Sequence, residues 1–148
     1  KGQADWRAIR EVKNAVSIPV VANGDIVDTT SARTALDQSG ADGVMVGRGA
    51  QGRPWVLAQI AADIFDTPAP TVPRGQAMVD MVAEHYDAML SFYGRDLGSR
   101  VARKHLGWYM DDAQTEAVLR KSILTTKDPA NVFASLPDAL LTDARQAA

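Results

Sequence analysis

Between Asp5 and Val16 the apolar residues Trp6, Ile9, Val12 and Val16 recur at helical spacing, and Asp5 stands where an N-cap belongs. That pattern predicts an amphipathic helix over 5–16. The period then shortens. Pro19-Val20-Val21-Ala22 is a brief β-branched run halted by Asn23-Gly24-Asp25, as a buried parallel strand is when it meets a loop. A helix is predicted from Thr30 to Gln38, with Ser39-Gly40 as its stop. A second buried strand, Gly43-Val44-Met45-Val46, ends at Gly47-Arg48-Gly49, and a further helix runs from Pro54 to Phe65. The strand centres Val21 and Val44 lie 23 residues apart, room for one strand-helix unit. Helix, strand, helix, strand, helix is the alternation of a parallel sheet with helical crossovers.

Pro68, Pro70 and Pro73 mark 66–73 as a linker. Beyond it the pattern is helical only. Met78, Val82, His85, Met89 and Phe92 recur at steps of three or four towards a stop at Gly94, and helical stretches follow at Ser99–Met110, Ala113–Ser122 and Ala130–Leu136. Residues 1–70 hold 7 Lys or Arg against 8 acidic residues and 71–148 hold 9 against 10, so the type of secondary structure, not charge, separates the two parts.

With 46% hydrophobic and 23% charged residues in 148, the composition is that of a globular protein, and no apolar run approaches a membrane span. The absence of cysteine excludes disulfides, thiolate metal sites and a cysteine nucleophile within the chain, and two histidines, His85 and His105, leave little for zinc. No metal is expected. A net charge of −2 argues against a uniformly basic nucleic-acid binder but leaves room for a local basic face. The chain starts at Lys1 rather than Met, with no leader pattern ahead of the first helix, and is expected to be a piece of a longer protein.

Two glycine-containing loops, Asn23-Gly24-Asp25 and Gly47-Arg48-Gly49, occupy matching positions after adjacent strands. Exposed backbone N–H groups in such loops attract phosphate, and Arg48 adds charge-assisted hydrogen bonds. Either loop alone is accounted for by tight turns at Gly24, Gly47 and Gly49. Together they favour a phosphate or nucleotide site. Asp25 directly follows a glycine, which suits a helix cap or a contact with a bound ligand better than a general base. In the second part, Arg100-Val-Ala-Arg-Lys-His-Leu-Gly-Trp-Tyr109 places Arg100, Arg103, Lys104 and Gly107 on one helical face, with Arg95 close by. Such a stripe suits a nucleic-acid backbone. It is also what a solvated surface looks like, with Asp111, Asp112 and Glu116 as counter-charges. His105 reads as a packed structural residue, and Trp6, Trp55, Trp108, Tyr109 and the methionines Met78, Met81 and Met89 as packing residues, with base stacking as the alternative for Trp108 and Tyr109.

The segments Ala4-Asp5-Trp6, Pro19-Val-Val-Ala-Asn-Gly-Asp-Ile26, Gly40-Ala-Asp-Gly-Val-Met-Val-Gly-Arg-Gly-Ala50 and Gly52-Arg-Pro-Trp55 resemble the tRNA-dihydrouridine synthases, in particular the bacterial B-type branch. The resemblance runs from Lys1 through the second part and is most specific in the first 55 residues. It implies α/β plus all-α architecture: the C-terminal part of a TIM (β/α)8 barrel over 1–70, contributing the last two strands and their helices, then a helical bundle domain that binds tRNA over 71–148. It implies FMN as cofactor, held by Asn23, Gly24, Asp25, Gly47 and Arg48, NADPH as reductant, and tRNA as the partner, contacted by Arg95, Arg100, Arg103 and Lys104. The family's catalytic cysteine and a flavin-contacting lysine belong upstream of Lys1, so no catalytic residue is assigned within the chain. Two strands cannot close a barrel, and the isolated segment is expected to be flavin-poor and inactive. The intact enzyme is expected to be a cytoplasmic monomer. Two alternatives remain: another FMN-dependent barrel such as a dihydroorotate dehydrogenase, and a non-enzymatic RNA-binding module.

Overall fold

A computed structural model describes residues 2–141; Lys1 and the last seven residues of the expected helical domain, 142–148, lie outside the described residues. The chain divides into two compact units, Lys1–Thr71 and a second that begins at Val72.

In the first unit, Asp5 accepts hydrogen bonds from the N–H groups of Arg7 and Ala8, each at 3.1 Å, and starts α1 (Trp6–Ala15). Pro19, which cannot donate to a ladder, stays outside β1 (Val21–Asn23). Helix α2 (Thr29–Ser39) is capped reciprocally by Asp28 and Ser31 and ends on Gly40 at φ 64°. Strand β2 (Gly43–Met45) then pairs parallel to β1, in the register Val21 to Gly43, Ala22 to Val44 and Asn23 to Met45. A single 3-10 turn (Arg48–Ala50) leads to α3 (Val56–Phe65). The two parallel strands and the helix between them are the expected βαβ order, with shorter strands.

The sheet is covered unequally. Ile26, Ala32, Ala35, Val56 and Ile60 form a buried cluster, and Trp6, Val44, Val46 and Ile64 pack against it. Ala22 is fully buried on the same side. On the other face, Val21 is 58% and Met45 46% exposed. Helix α1 buries no residue completely, and Val12, predicted on its apolar stripe, is exposed. Polar ties fasten α1 to its neighbours: Arg10 donates to the Gln38 and Asp37 carbonyls at the end of α2. Lys13 pairs with Asp42 at 2.7 Å. That bond, with a second from the Val20 N–H, holds the Asp42 carboxyl below the usual carboxylate range.

The second unit, as far as it is described, is helical: α4 (Gln76–Tyr93), α5 (Arg95–Ala113), α6 (Ala117–Thr125) and α7 (Pro129–Leu140). Gly94 alone separates α4 from α5, so the two fold back on each other. Gly98 permits their close approach, because a Cβ there would meet the Met89 carbonyl oxygen at 2.6 Å and the Leu90 Cα at 2.9 Å. Val82, Tyr86, Leu106, Met110, Leu136 and Leu140 are among the buried residues between the helices, and Met78 and Met89 join them as expected.

Three differences from the sequence reading have physical causes. Helix α5 begins at Arg95 rather than Ser99, since the Gly94 backbone at φ 76° and ψ 163° breaks the chain direction once and lets a new helix start at once. Helix α7 passes through Pro137 to Leu140, because Ala139 and Leu140 are buried and the Thr115 hydroxyl donates to the Ala139 carbonyl at 2.6 Å. Phe92, on the periodic stripe of α4, is 81% exposed; it lies in the last turn, two residues before the Gly94 break that turns the chain.

Candidate functional site

The loops after β1 and β2 enclose a cleft of about 590 Å³, within the usual range for small-molecule sites. Asn23, Gly24, Asp25, Gly47 and Arg48, the five residues expected to hold a cofactor, all line it, together with Gly49 and an apolar wall of Ile26, Val27 and Met45. The strand register explains the convergence: Asn23 is paired with Met45, so the two loops leave the sheet side by side at its C-terminal edge.

The first loop is fixed from outside the sheet. Gly24 and Asp25 both adopt positive φ, 108° and 53°, a conformation that costs a non-glycine residue strain unless its surroundings enforce it. The indole of Trp6 donates to the Gly24 carbonyl at 2.9 Å, and the Ala4 N–H donates to Asp25 Oδ2 at 2.7 Å. Asp25 does not cap α2; Asp28 does, and the Ser31 N–H and hydroxyl bonded to its carboxylate lower its pKa.

The second loop is packed tightly at one glycine and open at another. A Cβ on Gly49 would meet the Ile26 carbonyl oxygen at 2.5 Å and the Val27 Cα at 2.8 Å, whereas one on Gly47 would meet nothing within 4 Å. Gly49 therefore lets the second loop lie against the first, and Gly47 leaves the cleft clear. The Arg48 guanidinium lies 3.8 Å from Asp25 Oδ1 with its side chain 78% exposed. At that distance and exposure the pair is loose, and the cation remains available to an anion in the cleft.

The four residues expected to contact RNA lie in different surroundings. Arg100 and Arg103 line a recess with Lys127, Asp96 and Ser99; Lys104 is exposed outside it. Arg95 pairs with Asp128 at 3.0 Å. Gly107 is not bare surface beside the cations: it is buried, and a Cβ there would lie 3.2 Å from the Arg120 guanidinium. Two of the expected counter-charges are engaged elsewhere, Asp111 with Arg120 at 2.8 Å and Glu116 as the cap of α6. Lys127 escaped the sequence reading because it lies between α6 and α7, far along the chain from the Arg100 segment.

His85 and His105 stack edge to face at 5.1 Å, His105 stacks on Trp108 at 5.0 Å, and His85 Nδ1 lies 3.1 Å from the Tyr109 hydroxyl. Burial lowers the pKa of both imidazoles, with the charge of His105 adding to the effect at His85, and raises that of Tyr109. The cluster packs α4 against α5. Among the described residues no group of three or more His, Asp or Glu could hold a metal ion, and no helix is long and apolar enough to cross a membrane.

The model of the dihydrouridine synthase family matches residues 1–145. A probable tRNA-dihydrouridine synthase of Rhodobacter capsulatus is 62% identical over 138 residues, which cover 93% of this chain and 42% of that protein. A probable tRNA-dihydrouridine synthase of Rickettsia conorii is 45% identical over 128 residues, 86% of this chain and 39% of that protein. The tRNA-dihydrouridine synthase B of Proteus vulgaris is 41% identical over 141 residues, 92% of this chain and 42% of that protein. The chain thus spans about two fifths of the length of these relatives.

Proposed function

The chain belongs to the dihydrouridine synthase family, and from that premise we propose that it is the C-terminal part of a cytoplasmic tRNA-dihydrouridine synthase, which reduces uridine to 5,6-dihydrouridine in tRNA with FMN and NADPH. The observation that carries this reading is the convergence of Asn23, Gly24, Asp25, Gly47 and Arg48 on one cleft at the C-terminal edge of two parallel strands. Loops in that position after the last strands of a TIM barrel are a common phosphate site.

The residues present suit FMN. Arg48 offers an exposed, loosely paired cation, Gly47 leaves room for a phosphate to approach the backbone, and Met45 with Val27 supplies an apolar wall. In the proposed site Arg48 binds the phosphate and Asn23 and Asp25 hold the ribityl hydroxyls. Bound FMN supplies the two-electron carrier between NADPH and the uracil ring. The chain contains no cysteine, so the proton donor of the reaction is assigned to another part of the enzyme.

The bare face of the sheet supports a barrel. Parallel sheets are covered on both faces, and Val21 and Met45, exposed here, are where a barrel interior would lie. We assign 1–70 to the end of the barrel and 71–148 to a helical tRNA-binding domain in which Arg100, Arg103 and Lys104 face the RNA backbone. The flavin content of the intact enzyme tests the site. Arg48→Ala is expected to purify with much less visible flavin absorbance than the parent; normal FMN occupancy would remove Arg48 from the cofactor site.

A further inference from the structure

The corner between α4 and α5 carries two features that the proposed function leaves unused. Phe92 and Tyr93, in the last turn of α4, form an edge-to-face pair with ring centroids 4.8 Å apart, yet Phe92 is 81% and Tyr93 45% exposed. Such a pair gains little from burial, which is the usual reason for keeping two adjacent aromatic rings. Just beyond the corner, Lys127 joins Arg100 and Arg103 in a recess whose one acidic residue is Asp96. Tyr93 and Asp96, the recess residue nearest to it in sequence, are three residues apart, a backbone separation of at most about 11 Å.

The residue after Lys127 links its connection to the start of α5. Arg95 binds Asp128 at 3.0 Å, and the same carboxylate accepts the Ala130 N–H at 3.2 Å to cap α7. The start of α5 is thereby fastened to the connection that carries Lys127.

We propose that this corner is a subsite for an unpaired stretch of RNA, in which Arg100, Arg103 and Lys127 take a backbone phosphate while Phe92 and Tyr93 stack on an adjacent base. Cationic grooves flanked by exposed aromatic rings are how proteins hold single-stranded nucleic acid. The inference rests on the tRNA reading of the helical unit. It goes further by naming Lys127, Phe92 and Tyr93 as contacts and by making Arg95 a positioning residue for the Lys127 connection.

Binding of tRNA to the intact enzyme over a series of salt concentrations tests it. Lys127→Ala is expected to weaken binding and to reduce the slope of log affinity against log salt by about 0.7–0.9, the contribution of one phosphate. Phe92→Leu keeps an apolar side chain but removes the ring; it is expected to weaken binding about fivefold or more at every salt concentration with the slope unchanged, and Phe92→Trp to restore it. Both side chains are exposed, so the thermal midpoints should match that of the parent. If the parent binds tRNA with strong salt dependence while Lys127→Ala and Phe92→Leu bind as it does, the subsite is refuted and the tRNA reading stands. A parent that does not bind tRNA, or binds it indifferently to salt, overturns both.

Discussion

The indole N–H of Trp6 donates to the carbonyl of Gly24 at 2.9 Å, tying the first turn of α1 to the loop that follows β1. Beside it the Ala4 N–H holds Asp25. Ala4 and the first residue of α1 thus fix two cleft residues whose positive φ angles would otherwise be costly. Trp6→Phe keeps most of the packing and removes the donor. It should cost about 1 kcal/mol, the usual net value of one hydrogen bond, and lower flavin retention by the intact enzyme. Urea unfolding and flavin content check this together; a variant unchanged in both would show that Asp25 alone holds the loop.

Gly49 and Gly47 should respond oppositely to the same substitution. The methyl of Gly49→Ala meets backbone atoms of Ile26 and Val27, which cannot move aside as a side chain would, and overpacking of this kind costs about 1–3 kcal/mol. In Gly47→Ala the methyl meets no protein atom within 4 Å but enters the cleft, so flavin retention should fall with a smaller loss of stability. The denaturation midpoint and the flavin-to-protein ratio of each variant separate the two effects. Equal destabilisation by both would contradict the packing described for this loop.

Much of the first unit was legible because its signals are local. Asp5 caps α1, Gly40 ends α2, and both strands stop at glycine loops as the sequence implies. The convergence of those loops followed from their equivalent places after adjacent strands, and the family resemblance read from the same segments is borne out by the match over 1–145. What was not legible depends on partners distant in the chain. Periodicity placed Phe92 on a stripe but cannot say which of its positions stays exposed. Lys127 lines one recess with Arg100, and the adjacent Arg95–Asp128 pair joins residues 33 apart. Pro137 signals a helix end locally, and the burial of Ala139 and Leu140 overrides it.

The His85–His105 pair should make the helical unit sensitive to mild acid. Burial holds both rings below their ordinary value of 6.5, so as pH falls below that value the unfolded chain binds protons that the folded chain resists. Stability is therefore full above about 6.5 and declines as pH drops through the lowered folded values. Thermal midpoints between about pH 7.5 and 5.5, above the main carboxylate range, should fall with pH. The double variant His85→Phe with His105→Phe should show a flatter dependence; an undiminished slope would place the titration elsewhere.

The dihydrouridine content of tRNA, mapped by mass spectrometry in cells with and without the gene for the intact protein, tests the central claim most directly. The proposed function predicts that dihydrouridine disappears from at least one tRNA position in the deletion strain, returns with the wild-type gene, and returns incompletely with Arg48→Ala. An unchanged content at every position would contradict it.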